Sequence, residues 1–305
     1  MSVLVTGGGG FLGCTLVRAL IDARHKVVVL DRFDWGTQPL CSAVGRSHGS
    51  ITVHAGDINN PQVLADAVKG CQAVIHLAGI VGYPACDADP VEADCTNVEG
   101  TRKVAAAASG RLLFFASTGS TYGKVEGRIA LESHPVCPLT RYGRNKAAAE
   151  ELVQAAGGVT FRLATLYGTS TRMRWDLLPL DFARSGATTG RIDLYEGHAR
   201  RTFLHVKDAA NAFVLALRAG LPSGVYNVGR TLGNVTKLDV ARLVETHTGC
   251  QIVEMAGSDP DQRDYTVGFG KIREALPKWG LPLPPEEQLL PGALGEVVKW
   301  ARCWR

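Results

Sequence analysis

The chain has 305 residues, 46% hydrophobic and 20% charged, a balance that suits a packed core and excludes disordered, collagen-like and coiled-coil classes. Its net charge of +4 mixes both signs with no basic run beyond pairs, so no nucleic-acid footprint is present. Apolar runs such as 27–30 and 112–116 fall far short of the roughly 18 residues needed to span a membrane.

The chain opens MSVLVT, already a strand, so no signal peptide is expected and the protein is expected in the cytoplasm. Short apolar strands are predicted at 3–6, 27–30, 51–54, 73–77, 112–117 and 160–163, with helices at 12–23, 61–68, 92–108 and 142–155 between them. Runs such as Val27, Val28, Val29 and Leu30 lack period-two alternation, as strands covered on both faces do. Alternating strands and helices imply an α/β fold with a doubly wound parallel sheet and right-handed crossovers. Beyond about residue 166 the pattern loosens. A helix is predicted at 172–185, a turn-rich stretch at 186–197, helices at 206–218 and 237–248, and a proline-rich segment at 281–285. The expected organisation is a dinucleotide-binding domain at 1–165, rejoined by 201–220, with most of 166–305 forming a smaller lobe over the carboxyl ends of the strands.

Eight cysteines (Cys14, Cys41, Cys71, Cys86, Cys95, Cys137, Cys250 and Cys303) form no C-x-x-C pair and are expected to stay reduced. His198 and His205 are isolated and no zinc-type spacing occurs, so no metal is expected.

The segment TGGGGFLG at 6–13 joins the first strand to the first helix. Gly7, Gly10 and Gly13 fit G-x-x-G-x-x-G, and Gly8, Gly10 and Gly13 fit G-x-G-x-x-G. Small residues there let the backbone approach a pyrophosphate at a helix N-terminus, beside Phe11 and Leu12. Asp31 ends the second strand, where an acid accepts hydrogen bonds from ribose hydroxyls and repels a 2′-phosphate, which favours NAD. Its neighbour Arg32 keeps NADP open, since a guanidinium accommodates that phosphate. Asp57 and Ile58 follow the third strand, where an aspartate either meets the adenine or simply caps a turn. Tyr142 and Lys146 stand four residues apart on one helix face. A lysine cation there favours the phenolate and makes a base usable near neutral pH. Ser117, Thr118 and Ser120 cluster at a strand's carboxyl end, either as donors to a substrate oxygen or as a hydroxyl-rich turn.

Together these pieces, nearly end to end, resemble the extended short-chain dehydrogenase/reductase family, in particular nucleotide-sugar epimerases and dehydratases of the UDP-glucose 4-epimerase type. The segments that carry the resemblance are 6–13, 76–78, 97–101, 117–123, 142–146, 161–163, 201–208 and 225–229. The resemblance implies a Rossmann domain with NAD held by Gly7, Gly10, Phe11, Leu12, Gly13, Asp31, Arg32, Asp57, Ile58, Leu77, Ala78, Asn97, Tyr142 and Lys146. It makes Thr118, Tyr142 and Lys146 the catalytic trio and Arg201 the grip on a substrate diphosphate, with Val81, Gly82, Ser117, Ser120, Arg172, Arg174 and Arg263 as further substrate contacts. The 4,6-dehydratases carry an Asp-Glu pair directly after the catalytic threonine, and the decarboxylases keep a Glu; here Gly119 and Ser120 stand instead. The cysteine of the 3,5-epimerase/reductases is also absent from the turn. What remains is oxidation or reduction at one carbinol, most simply C4 epimerisation of a nucleotide-diphosphate sugar. Net C4 oxidation or reduction shares the same trio. A non-catalytic dinucleotide sensor has no need of it. The segments 80–86, 161–168, 172–178 and 259–265 resemble a subgroup with GDP-heptose 4-dehydrogenases, which makes a heptose substrate an expectation. Family habit also implies a homodimer.

Overall fold

In the computed structural model, which describes residues 1–45, 51–257, 264–277 and 289–303, apolar runs and helical stretches alternate from the first residues. In chain order these are β1 (Ser2–Thr6), α1 (Phe11–Asp22), β2 (Lys26–Asp31), α2 (Gln38–Val44), β3 (Ile51–Ala55), α3 (Pro61–Val68) and β4 (Ala73–His76). Three helical pieces follow, α4 (Tyr83–Ala88), α5 (Pro90–Asp94) and α6 (Gly100–Ala107), and then β5 (Leu112–Thr118), β6 (Lys124–Ala130), α7 (Arg141–Ala155) and β7 (Val159–Leu163). The remainder comprises β8 (Thr165–Tyr167), α8 (Leu178–Thr188), β9 (Arg191–Leu194), β10 (Arg200–His205), α9 (Val206–Ala219), β11 (Gly224–Val228) and β12 (Asn234–Thr236). It closes with α10 (Lys237–Thr248), β13 (Gln251–Glu254), β14 (Asp264–Val267), α11 (Gly270–Ala275) and α12 (Leu290–Cys303).

Seven strands make one parallel sheet in the order β11-β7-β5-β4-β1-β2-β3. The strand order reverses beside β1, so a crevice opens at the carboxyl ends of β1 and β4. Both faces are covered. Val3, Val5, Val29 and Phe114 pack with Leu16 and Leu20 of α1 and Phe213 of α9. The opposite face buries Leu4, Leu30, Val74 and Phe115 against Leu64 of α3, Val104 of α6 and Val153 of α7. Each such side chain contributes roughly 1.5–3 kcal/mol when fully buried, which is why these strands read as continuous apolar runs.

Beyond the sheet, β8, β10 and β12 form one small sheet, β9 pairs with β13, and β14 pairs with β6. Helices α8, α10 and α12 pack on one another beside them. The chain rejoins the main sheet through α9, which packs on α1, and β11, so the return runs from Val206 to Val228, while Arg200–His205, expected to return with it, belongs to the small sheet.

Three stretches differ from the sequence-based expectation. The helix expected at 92–108 is interrupted by a π-helical turn, Cys95–Glu99, which breaks the 3.6-residue period. The helix expected at 172–185 begins only at Leu178, because Pro179 lacks the N–H that would have bonded one turn back. The stretch 186–197, expected to be turns, contains the rest of α8 and β9, whose Ile192 and Leu194 alternate inward opposite β13. The segment 281–285 lies outside the described residues.

Candidate active site

The loop after β1 is shaped by close backbone approach. Gly7 has φ +74°, and a Cβ there would lie 2.6 Å from the amide nitrogen of Ala78. A Cβ on Gly13 would lie 2.2 Å from the carbonyl oxygen of Gly7. Helix α1 therefore starts hard against the loop. Its N-cap is Gly10, which offers no side-chain cap, so the first-turn amides are left for an anion. Gly7, Gly10, Phe11, Leu12 and Gly13 all line a cleft of about 720 Å³ that runs across the carboxyl ends of the strands.

One end of the cleft is acidic. Asp31 accepts hydrogen bonds from the backbone N–H of Gly9 at 2.9 Å and of Phe33 at 2.7 Å, which fixes its carboxylate while leaving lone pairs for a ligand. Arg32 is held by three carboxylates: Asp34 at 2.7 Å, Glu92 at 2.6 Å and Asp57 at 3.5 Å. Asp57 also accepts from the N–H of Asn59 at 2.7 Å, so it serves its own turn while lining the cleft with Ile58. The wall beyond is built by Leu77, Ala78, Val81 and Gly82.

Asn97 is not among the residues that line the cleft. The π-helical turn carries it to Ile80, whose N–H donates to Oδ1 at 2.8 Å and whose carbonyl accepts from Nδ2 at 2.9 Å. Both amide functions are thereby spent on pinning the cleft wall.

The floor is where β5 ends and α7 passes. Thr118 Oγ1 donates to Ser120 Oγ at 3.0 Å and accepts from the Ser120 N–H at 3.1 Å, capping a short 3-10 turn at Gly119–Tyr122. Thr140 caps α7 through the N–H of Gly143 at 3.2 Å. Tyr142 and Lys146, a turn apart on α7, both line the cleft. Lys146 is 3% exposed, donates to the carbonyl of Ala116 at 2.8 Å, and lies 4.6 Å from the centre of the Phe115 ring. Burial pushes its pKa down to about 8, opposed by Cys86 and Glu150. Ser117 lines the cleft as well, but its hydroxyl is bonded to buried Glu150.

At the far end Arg201, only 2% exposed, lines the cleft and donates to the Arg200 carbonyl at 2.9 Å. Arg174 is paired with Asp176 through both ends of its guanidinium. Arg172 stacks on Trp35 at 4.2 Å, placing it against the residues that follow β2. Arg263 lies outside the described residues. Sequence reasoning missed Lys237, a cleft-lining lysine that is 1% exposed and donates to the Tyr195 carbonyl at 2.9 Å. It opens the helix predicted at 237–248, and no motif singles it out. Asp181, Phe182, Asp193 and Tyr195, which no motif marks, were missed too, as was Phe203 within the 201–208 segment.

The cleft thus joins an anion cradle, an ordered carboxylate, a hydroxyl pair, a phenol and a buried ammonium one helical turn apart, and buried cations. Among the described residues no cluster of three His, Cys, Asp or Glu could hold a metal, and no helix is long and apolar enough to cross a membrane.

A family model described as the NAD dependent epimerase/dehydratase family matches residues 3–229. A dTDP-glucose 4,6-dehydratase of Streptomyces niveus is 29% identical, the match covering 99% of this chain and 93% of that protein. A UDP-glucose 4-epimerase of Azospirillum brasilense is 27% identical over 98% of this chain and 92% of its own length. The crystal structure of a Thermus thermophilus UDP-glucose 4-epimerase in complex with NAD superposes with a TM-score of 0.84 at 25% identity, covering 97% of this chain and 99% of that one.

Proposed function

The chain belongs to the NAD dependent epimerase/dehydratase family of enzymes, and from that premise we propose that it is a nucleotide-sugar 4-epimerase. Its substrate is a hexose or heptose linked to a nucleoside diphosphate, and its intermediate is a 4-keto sugar. NAD, when bound, would supply a reversible hydride acceptor for the carbinol carbon. The residues present fit that group: the loop of Gly7, Gly10 and Gly13 and the uncapped start of α1 suit its pyrophosphate, and Asp31 suits a ribose. Arg32, already held by three acids, offers little to a 2′-phosphate, which favours NAD over NADP.

Tyr142 takes the proton of the sugar hydroxyl, and Lys146 favours its phenolate electrostatically. Thr118 and Ser120 hydrogen-bond the oxygen as it becomes a carbonyl. Arg201 and Lys237 hold the diphosphate, so binding energy far from the reacting carbon keeps the intermediate in place while the sugar turns.

The observation that carries epimerase over dehydratase is the fate of the carboxylates. Elimination of water needs an acid beside the Thr118 turn, where Gly119 and Ser120 stand. Every carboxylate lining the cleft, among the described residues, is engaged elsewhere: Asp31, Asp34 and Asp57 at the β2 end, Asp176 with Arg174, Asp181 with Arg184, and Asp193 with Arg191. The test is incubation of the purified protein with UDP-, GDP- and ADP-linked hexoses and heptoses, with NMR following C4 and absorbance following NADH. A C4 epimer formed without added NAD and without lasting NADH is expected, and Tyr142→Phe should lower its rate about 10²–10⁴-fold. Stoichiometric NADH with a 4-keto product would replace the epimerase with a net dehydrogenase. Undiminished biological activity of Tyr142→Phe would point to a sensor.

A further inference from the structure

Behind the cleft lies a buried ion pair that the mechanism above does not use. Glu150, one helical turn past Lys146 on α7, accepts from Arg162 of β7 through three contacts at 2.7–3.1 Å, and both side chains are under 8% exposed. Glu150 also accepts the hydroxyl of Ser117. Ser117 and Arg162 face each other directly across β5 and β7, so one carboxylate grips a cross-strand pair. The guanidinium is closed in by Tyr122, whose ring centre lies 4.8 Å away and whose hydroxyl donates to Asn227 Oδ1 at 2.7 Å.

Burying two charges is a poor way to gain stability, since apolar replacements of a whole pair often serve as well. The location suggests another use. Helix α7 is fastened to consecutive residues of β5, by Lys146 to the carbonyl of Ala116 and by Glu150 to Ser117. The next residue is Thr118. Resting on the catalytic roles proposed above, the geometry points to Glu150 as a positioning residue: clamped by Arg162, it holds the helix bearing Tyr142 and Lys146 in register with the Thr118 turn and supplies the negative charge that keeps Lys146 an ammonium.

The charges around Lys146 fit this role. Cys86 faces it from α4, His76 of β4 is buried and pushed down to about 3, and Glu150 lies on α7 itself. Burial pushes the Cys86 thiol up, which leaves Glu150 as the one carboxylate of the set.

The test reads Tyr142 directly and needs no substrate. The ultraviolet absorbance of the phenolate is titrated in the protein as isolated, and the curve of the matching Tyr142→Phe protein is subtracted. Glu150→Gln is expected to raise the Tyr142 midpoint by about one pH unit or more, because Lys146 then loses its proton earlier. Ser117→Ala is expected to give a smaller rise, since it cuts the tether and leaves the charge. If Glu150→Gln does not fold, Glu150→Met with Arg162→Met removes both charges together and should still raise the midpoint. An unchanged midpoint in a folded variant lacking the carboxylate overturns the positioning role alone. An ordinary phenol midpoint near 10 in the unaltered protein overturns the catalytic reading itself.

Discussion

Replacing Lys146 by methionine should stabilise the fold while abolishing turnover, and the size of the gain follows from burial. The ammonium is 3% exposed, and burial pushes its pKa down from 10.5 to about 8. At about 1.4 kcal/mol for each tenfold change, folding disfavours the charged form by about 3 kcal/mol. Loss of the hydrogen bond to Ala116 returns about 1 kcal/mol. Methionine is unbranched and of similar length, so a net gain of about 2 kcal/mol is expected near neutral pH. Because the folded pKa lies below the unfolded one, the unfolded chain binds the extra proton between about 8 and 10.5. The penalty is therefore full below that window and fades as pH rises through it. Thermal unfolding of nucleotide-free protein should show Lys146→Met melting roughly 4–8 °C above the unaltered chain at pH 7, with the gap closing toward pH 10. A variant no more stable at pH 7, or a gap indifferent to pH, would refute the burial argument.

Gly13→Ala drives a Cβ into the Gly7 carbonyl at 2.2 Å, so the loop must move and the nucleotide released on heat denaturation should fall well below one per chain; full occupancy counts against the cradle. Asp34→Asn with Glu92→Gln leaves Arg32 only its 3.5 Å pairing with Asp57, and selectivity for NAD over NADP in fluorescence titrations should drop about tenfold, or about 1.4 kcal/mol. An unchanged ratio would show that Asp31 alone sets the preference. Asn97→Leu strips the Ile80 N–H of its partner and leaves the Ile80 carbonyl only the Cys86 thiol, and should cost about 1–3 kcal/mol in urea unfolding; an unaltered midpoint contradicts the pinning role.

The sheet half of the molecule was legible because its physics is local. Doubly covered strands leave unbroken apolar runs, and the phosphate loop leaves glycines where a Cβ would collide. The phenol and lysine of α7 were legible for a similar reason, since a helix fixes their spacing. Past residue 166 the cleft is assembled from single residues far apart in sequence. Lys237 reaches it because Tyr195 offers a carbonyl, and Arg172 meets Trp35 across more than a hundred residues. The place of Asn97 was marked by its segment, while the bonds its amide makes to Ile80 follow from the π-helical turn, which the sequence did not show. Ser117 shows the same division: its place in the cleft was readable, and the carboxylate that occupies its hydroxyl was not.

The order of strands in the main sheet also bears on how the chain comes off the ribosome. Strand β7 is made by residue 163, yet its outer neighbour β11 ends at Val228, after three small strands and two helices of the intervening chain. Until about three-quarters of the 305 residues have emerged, the outer side of β7 is an open edge of unpaired backbone. Nascent chains halted between those points present a template for pairing with one another, and this window is where a holdase would act. Truncations meant to isolate the nucleotide-binding half should accordingly keep β11, by circular permutation or by grafting it after β7.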